Sequence, residues 1–212
     1  MVDVPLLYED AHLAIVDKPA NVLVVTAPGR REPTLVDLLR RQLGGVVEAV
    51  HRLDEQTTGA IVVARDAAGR AGMEALFRRH AVERDYLALV TAAPSPPAGS
   101  VESQLREDAG GVMRVVPRGG ERAVTHYETL CRRDRCTLVR CRLETGRRNQ
   151  IRAHFAAMGC PIAGDRKYGY RRRADEAFAR VMLHSWRVAF RHPVTGQQIA
   201  VEAPPPEPEL QP

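Results

Sequence analysis

The 212-residue sequence predicts an α+β fold, a mixed, largely antiparallel sheet flanked by a few helices. Three observations point there. Short apolar runs of strand length, among them AIVVA and DYLALV, are bounded by turn-forming residues. A few segments place apolar residues at helical spacing. The stretch THYETLCRRDRCTLVRCRLET reads as two strands about a charged turn at Asp134, the antiparallel hairpin pattern. A single body of this length removes roughly 70% of its unfolded surface from water, enough for a sizeable core.

Taken in order, LLYEDAHLAIVDKPANVLVV predicts two short strands about the turn DKPAN, with Pro19 setting the bend and Asn21 tolerating it. A helix follows in REPTLVDLLRRQLGG. Thr34 can cap it with Asp37 three residues on, Leu35, Leu38, Leu39 and Leu43 keep its period, and Gly44 ends it. VVEAVHRLD is strand-like up to its polar end, TTG reads as a turn, and AIVVA as a strand buried on both faces. Asp66 can cap the next helix, in which Met73, Leu76, Phe77 and His80 share a side. DYLALV is a strand and APSPPAGS a loop. Beyond the hairpin, RRNQIRAHFAAMGCP has the clearest helical period of the chain, through Ile151, His154, Phe155 and Met158, stopped by Gly159 with Pro161 behind it. VMLHSWRVAF is a late strand. EAPPPEPELQP reads as an extended, unpacked tail, so one domain over residues 1–205 and a Pro-rich tail over 206–212 are expected. There is no internal repeat.

The net charge is +5, and its distribution matters more than its sum, because a localised basic face binds polyanions. From Gly146 to Arg173, eight cations (Arg147, Arg148, Arg152, Arg166, Lys167, Arg171, Arg172 and Arg173) stand against one acid, Asp165. Such a run is either a solvated face or a polyanion surface. Of 31 basic residues only Lys18 and Lys167 are lysines. Arginine can fork onto phosphate and stack on bases, although a genomic bias toward arginine gives the same excess. No apolar run approaches membrane-spanning length, and MVDVPLLYED lacks the basic-then-apolar order of a secretory signal, so a cytoplasmic protein is expected. Cys131, Cys136 and Cys141 recur every five residues. That spacing alternates the faces of a strand and does not match a C-x-x-C metal knuckle, so reduced, buried thiols are expected.

Three constellations could carry chemistry. In HRLDEQTTG, Asp54 lies at the polar end of a strand beside Arg52, which favours its ionised form; it is either a nucleophile or base in a dry pocket, or a turn cap. In LETGRRNQIRAHFAAMGCPIAGDRKYG, residues 143–169, Thr145 and Gly146 break a strand, and a helix expected to begin there offers N–H groups to an anion. Arg148 and Arg152, four apart, would share a face of that helix, and a second Gly-rich turn adds Arg166 and Lys167, together a phosphate-binding surface. No Walker-type G-x-x-x-x-G-K-[ST] occurs. In RDYLALV, Tyr86 follows Arg84 by two, so both leave one face of the strand. Such a tyrosine stacks on a nucleobase, or simply half-fills a sheet.

HRLDEQTTG resembles the HRLD-x-x-[TS]-[ST]-G motif of RNA pseudouridine synthases of the RluA type. VDKPANVLVV is similar to that family's opening K-P-x-G segment, RDYLALV to its K-x-Y-x-A-x-V strand, residues 143–169 to its L-x-T-G-R-x-H-Q-I-R block, and LHSWRVAFRHPVTG to its closing segment. The resemblance runs from about Leu7 to Pro205 in the family's order. It implies the pseudouridine synthase catalytic fold with a central active-site cleft, and an isomerase that converts specific uridines of structured RNA to pseudouridine. By the same resemblance Asp54 is the nucleophile, Tyr86 stacks on the target uracil and helps remove its C5 proton, and Arg152 pairs with Asp54 and orients it. Leu183 packs under the base, Arg52 fills the gap left by the flipped nucleotide, and Thr58 belongs with the substrate-binding residues. The departures are Asn149 for the usual His, Thr58 for Ser, Arg84 for Lys and Asn21 for Gly, which are expected to alter substrate fit more than catalysis.

The resemblance further implies a stand-alone catalytic domain without an N-terminal S4-like RNA-binding module, acting on stem-loops of transfer RNA, large-subunit ribosomal RNA or both. No cofactor, metal, membrane or obligatory protein partner is expected, and the chain is expected to be a monomer. Moving C1′ from N1 to C5 of uracil transfers no electrons and no phosphate; it needs a flipped base and a pocket that excludes water. Two rivals remain at this stage. One is a non-catalytic RNA-binding or ribosome-assembly protein on the same fold, whose mark would be loss of Asp54, Tyr86 or Arg152. The other is a metal-dependent nuclease using His51, Asp54, His154 and Asp165, which lack the close spacing of a divalent site.

Overall fold

The structure, a computed structural model, describes residues 3–133, 135–169 and 178–212. In chain order its elements are β1 (Leu6–Glu9), β2 (Leu13–Lys18), α1 (Leu35–Leu43), β3 (Glu48–Ala49), β4 (Thr58–Ala64), α2 (Ala67–Arg78), β5 (Glu83–Val90), β6 (Ala98–Glu107), β7 (Met113–Val116), β8 (Glu121–Arg133), β9 (Cys136–Leu143), α3 (Gln150–Ala157), β10 (Leu183–Arg191) and β11 (Gln198–Glu202). This is the predicted α+β class, with largely antiparallel strand pairing and three helices among the described residues. None of those helices is long and apolar enough to cross a membrane. The chain forms two compact units. One runs up to Arg84 and takes in Ser185–Pro204; the other is Asp85–His184 with Pro205–Pro212.

In the first unit the strand order is β1-β2-β4-β10, with β3 beside β4 and β11 beside β10. All residues of β4 are buried, which is why its sequence is a continuous apolar run. Leu13, Ile15, Val62, Met73, Val188 and Phe190 meet in one core. The caps on α1 and α2 are those predicted. Thr34 and Asp37 form a reciprocal capping box, Gly44 leaves the helix at φ 67°, and Asp66 accepts the Gly69 N–H at 2.7 Å. His80 lies past the end of α2 with φ 54° and is exposed, so it does not join the buried side of that helix.

Two turn assignments shift. The first hairpin closes at Asp10–His12, where Asp10 Oδ1 accepts the N–H groups of His12 and Leu13 at 2.8 Å each. The bend in DKPAN comes at Pro19–Asn21, after β2 ends at Lys18, and NVLVV is not a strand: the Leu23 and Val24 carbonyls instead accept the first N–H groups of α1. In the expected turn TTG, Thr58 and Gly59 are already strand, and the bend comes earlier, at Glu55 and Gln56. Gly59 sits in β4 at φ 107°, and a Cβ there would overlap the Ser185 backbone. Gly59→Ala is therefore expected to destabilise the protein by about 2–6 kcal/mol, from backbone strain and overpacking together. A chemical-denaturation midpoint like that of the unsubstituted chain would contradict this.

In the second unit the order is β5-β9-β8-β6-β7. The β8–β9 hairpin forms as predicted, its partners running from Thr125↔Leu143 to Arg133↔Cys136, while Asp134 lies outside the described residues. The sequence signalled neither β6 nor β7, because their outward positions are polar and few of their residues are buried. The cysteines are free thiols, with Cys136, Cys141 and Cys160 buried and Cys131 partly so. The expected unpacked tail is overturned. Pro208–Leu210 is a short 3-10 helix, Leu210 is fully buried, Arg180 Nε donates to Glu207 at 2.6 Å, and Arg133 donates to the Gln211 carbonyl. An apolar residue and an acid among the prolines suffice to dock it.

Candidate active site

The predicted site residues divide between the units: Arg52, Asp54 and Thr58 in the first, and Tyr86, Arg148, Arg152, Arg166, Lys167 and Leu183 in the second. In the first unit, Asp54 is half-buried on the loop entering β4, Leu53 before it is buried, Arg52 is exposed, and Thr58 opens β4, buried. The Asp54 carbonyl accepts the Thr57 N–H at 3.1 Å, which closes the bend. Lys18 organises the loop in a way the sequence reading missed. Its ammonium is wholly buried and donates to the carbonyls of Pro19 and Val22 at 2.8 Å and of Glu55 at 2.9 Å. A buried cation is tolerated only when its donors are satisfied, and here three carbonyls from two segments do so. Glu55, half-buried, pairs through its side chain with Arg30 at 2.8 Å.

In the second unit, Tyr86 is buried in β5 opposite Cys141 of β9. Its neighbour Asp85, fully buried, is gripped by Arg142 at 2.9 Å and Arg140 at 3.4 Å. Burial acts to raise the Asp85 pKa, but these two arginines outweigh it and hold the carboxyl below the usual range. Leu183 opens β10, buried, and its carbonyl accepts from Arg180 at 3.1 Å.

Arg152 lies on α3. Its Nε and Nη2 fork onto Asp165 at 2.7 and 2.9 Å, and its guanidinium stands 5.2 Å from the centre of the Tyr168 ring. Asp165, fully buried, also accepts the N–H groups of Lys167 and Tyr168. Asp165, the one acid of the basic run from Gly146 to Arg173, thus holds two nitrogens of Arg152.

The helix itself starts later than predicted. α3 begins at Gln150, after Asn149 in the left-handed region, so Arg148 is not on it and does not share its face with Arg152. The cause is the Gln150 side chain, whose Oε1 accepts from Thr145 Oγ1 and the Arg147 N–H, holding residues 145–149 as a turn. Arg148 instead pairs with Glu107 at 2.9 Å, and its guanidinium and Lys167 Nζ both donate to the Gly111 carbonyl. Arg147 pairs with Glu121 at 2.9 Å. The basic run is thus partly neutralised by acids distant in sequence. Arg166 is exposed, and Arg171, Arg172 and Arg173 lie outside the described residues. His154 is bound by two hydroxyls, of Thr125 and Ser103, each at 2.9 Å, and burial lowers its pKa to about 4.

The family description RNA pseudouridylate synthase matches residues 12–157 of the chain. The chain belongs to this family. The RNA pseudouridylate synthases it resembles include the Ribosomal large subunit pseudouridine synthase D of Zymomonas mobilis, 37% identical, with 97% of this chain and 71% of that protein covered. The Uncharacterized RNA pseudouridine synthase YlyB of Bacillus subtilis is 36% identical, over 97% of this chain and 70% of its own length. Among solved structures, Human RNA Pseudouridylate Synthase Domain Containing 1 matches with a TM-score of 0.84 and 25% identity, covering 99% of this chain and 86% of the human one. Membership places the chain among isomerases and favours a catalytic RNA pseudouridylate synthase over the non-catalytic rival.

Proposed function

We propose that the protein isomerises specific uridines in structured transfer RNA, large-subunit ribosomal RNA or both, with Asp54 as nucleophile. The observation that carries this is the Asp54 loop, in which half-buried Asp54 is followed by a Glu55 carbonyl that wholly buried Lys18 ties in place. A fixed carboxylate of this kind suits attack on a substrate that is itself held still. Tyr86 stacks on the target uracil and helps remove the C5 proton, Arg152 orients the nucleophile, and Leu183 packs under the base. Arg52 occupies the vacated stack, and Thr58, Arg148, Arg166 and Lys167 bind substrate, the last three through phosphates. The fork from Asp165 supports the role of Arg152, because it fixes the plane of the guanidinium. Residues 1–205 act as one catalytic domain in this proposal, since the family motifs occur in both units. The protein works as a cytoplasmic monomer, without cofactor or obligatory protein partner.

The isomerisation moves one glycosidic bond. C1′ leaves N1 for the Asp54 carboxylate, the detached uracil turns within the pocket, C1′ leaves the carboxylate to join C5, the C5 proton passes to solvent and N1 takes up a proton. Extruding the base costs a few kcal/mol, least in a loop, and stacking and cationic contacts offset it. The test uses transfer and ribosomal RNA tritiated at uridine C5. Tritium released to water, with pseudouridine mapped at defined positions, is expected; RNA that keeps its label with both substrates would refute the proposal.

A further inference from the structure

His51 has no part in the chemistry proposed above, although it stands three residues before Asp54. Its ring packs 4.6 Å from that of Phe77 in α2, and its Nε2 accepts the Val62 N–H at 3.0 Å. Val62 lies in β4, whose short partner β3 ends at Ala49, opposite Val63. Where β3 stops, the next donor of β4 is therefore taken by an imidazole in place of a carbonyl. A side chain continues the ladder and pins the start of the Asp54 loop.

Lys18 holds the other end through the Glu55 carbonyl at 2.9 Å. Asp54 is thus bracketed by one anchor before it and one after. A ring nitrogen accepts a hydrogen bond only when it carries no proton. Burial, with the Arg84 charge nearby, keeps the imidazole neutral by lowering its pKa to about 3.

We infer that His51 is a positioning residue for the nucleophile, its hydrogen bond from the Val62 N–H setting the path of the loop that presents Asp54 to the uracil. This rests on Asp54 being the nucleophile. A reacting group displaced by about 1 Å can lose on the order of 100-fold in rate.

Two variants of the full chain test it. His51→Leu fills the space against Phe77 without an acceptor, and His51→Gln supplies an amide oxygen that can take the same N–H. With C5-tritiated transfer and ribosomal RNA, His51→Leu is expected to lower kcat by about 10- to 100-fold with KM little changed. His51→Gln is expected to recover most of kcat. Amide hydrogen exchange at Val62 and across residues 52–57 should rise in His51→Leu and stay near the unsubstituted chain in His51→Gln.

Unchanged kcat and exchange in folded His51→Leu would overturn the inference, as would His51→Gln performing no better than His51→Leu. If His51→Leu does not fold, His51→Gln decides alone: near-normal kcat and exchange support the role, and lost kcat at a normal melting temperature removes it. Full tritium release by Asp54→Asn would instead sink the nucleophile assignment, while the exchange measurement would still report whether His51 holds the loop.

Discussion

Asp54→Asn is expected to abolish release of tritium from uridine C5, lowering the rate by at least about 1,000-fold, as loss of a nucleophile does in other enzymes. The asparagine keeps the size of the side chain but not its charge or its nucleophilic oxygen. The loop should survive the change, because three bonds that shape it do not use the carboxylate charge: the Thr57 N–H to the Asp54 carbonyl, Lys18 to the Glu55 carbonyl and the Val62 N–H to His51. Affinity for RNA should therefore stay close to normal in a filter-binding assay. Comparable release from both proteins would take Asp54 out of the chemistry.

A large effect on stability is also expected at Asp165. Asp165→Asn leaves Arg152, nine-tenths buried, without the carboxylate that receives two of its nitrogens. Breaking a buried pair from one side costs about 3–5 kcal/mol, and at about 2–4 °C per kcal/mol for a chain of this size the melting temperature should drop clearly. Replacing both partners by apolar residues, as in Arg152→Met with Asp165→Leu, should cost less than the two single changes added together, since neither member of the pair is then buried without the other. A cycle of thermal melts checks this. Additive losses would show that the fork contributes little.

Much of this was legible from residue order alone. Thr34, Asp37 and Gly44 announced α1 because capping is local chemistry, and the run AIVVA announced a strand covered on both sides. The loop proposed to present the nucleophile was legible through HRLDEQTTG, a stretch whose residue types are specific enough to carry a resemblance. What stayed hidden depends on partners distant in sequence. Nothing near Lys18 says that its ammonium will reach the Glu55 carbonyl, 37 positions away. Nothing near Arg148 says that Glu107 will neutralise it, 41 positions away. The late start of α3 was missed for a related reason, as helical period cannot register a glutamine side chain occupying the turn ahead of its own helix. β6 and β7 were silent because so few of their residues are apolar and buried.

The path of the chain through the two units bears on how the protein is made. The unit that begins the chain is completed by Ser185–Pro204, and the unit in the middle by Pro205–Pro212. Domains often fold as independent units in order of synthesis, the N-terminal one first. Here that order is blocked, since the opening 84 residues lack their closing strands until translation has passed residue 204. A ribosome halted anywhere between residues 85 and 184 would carry a nascent chain with neither unit sealed, its half-built β4 core open to chaperones and proteases alike.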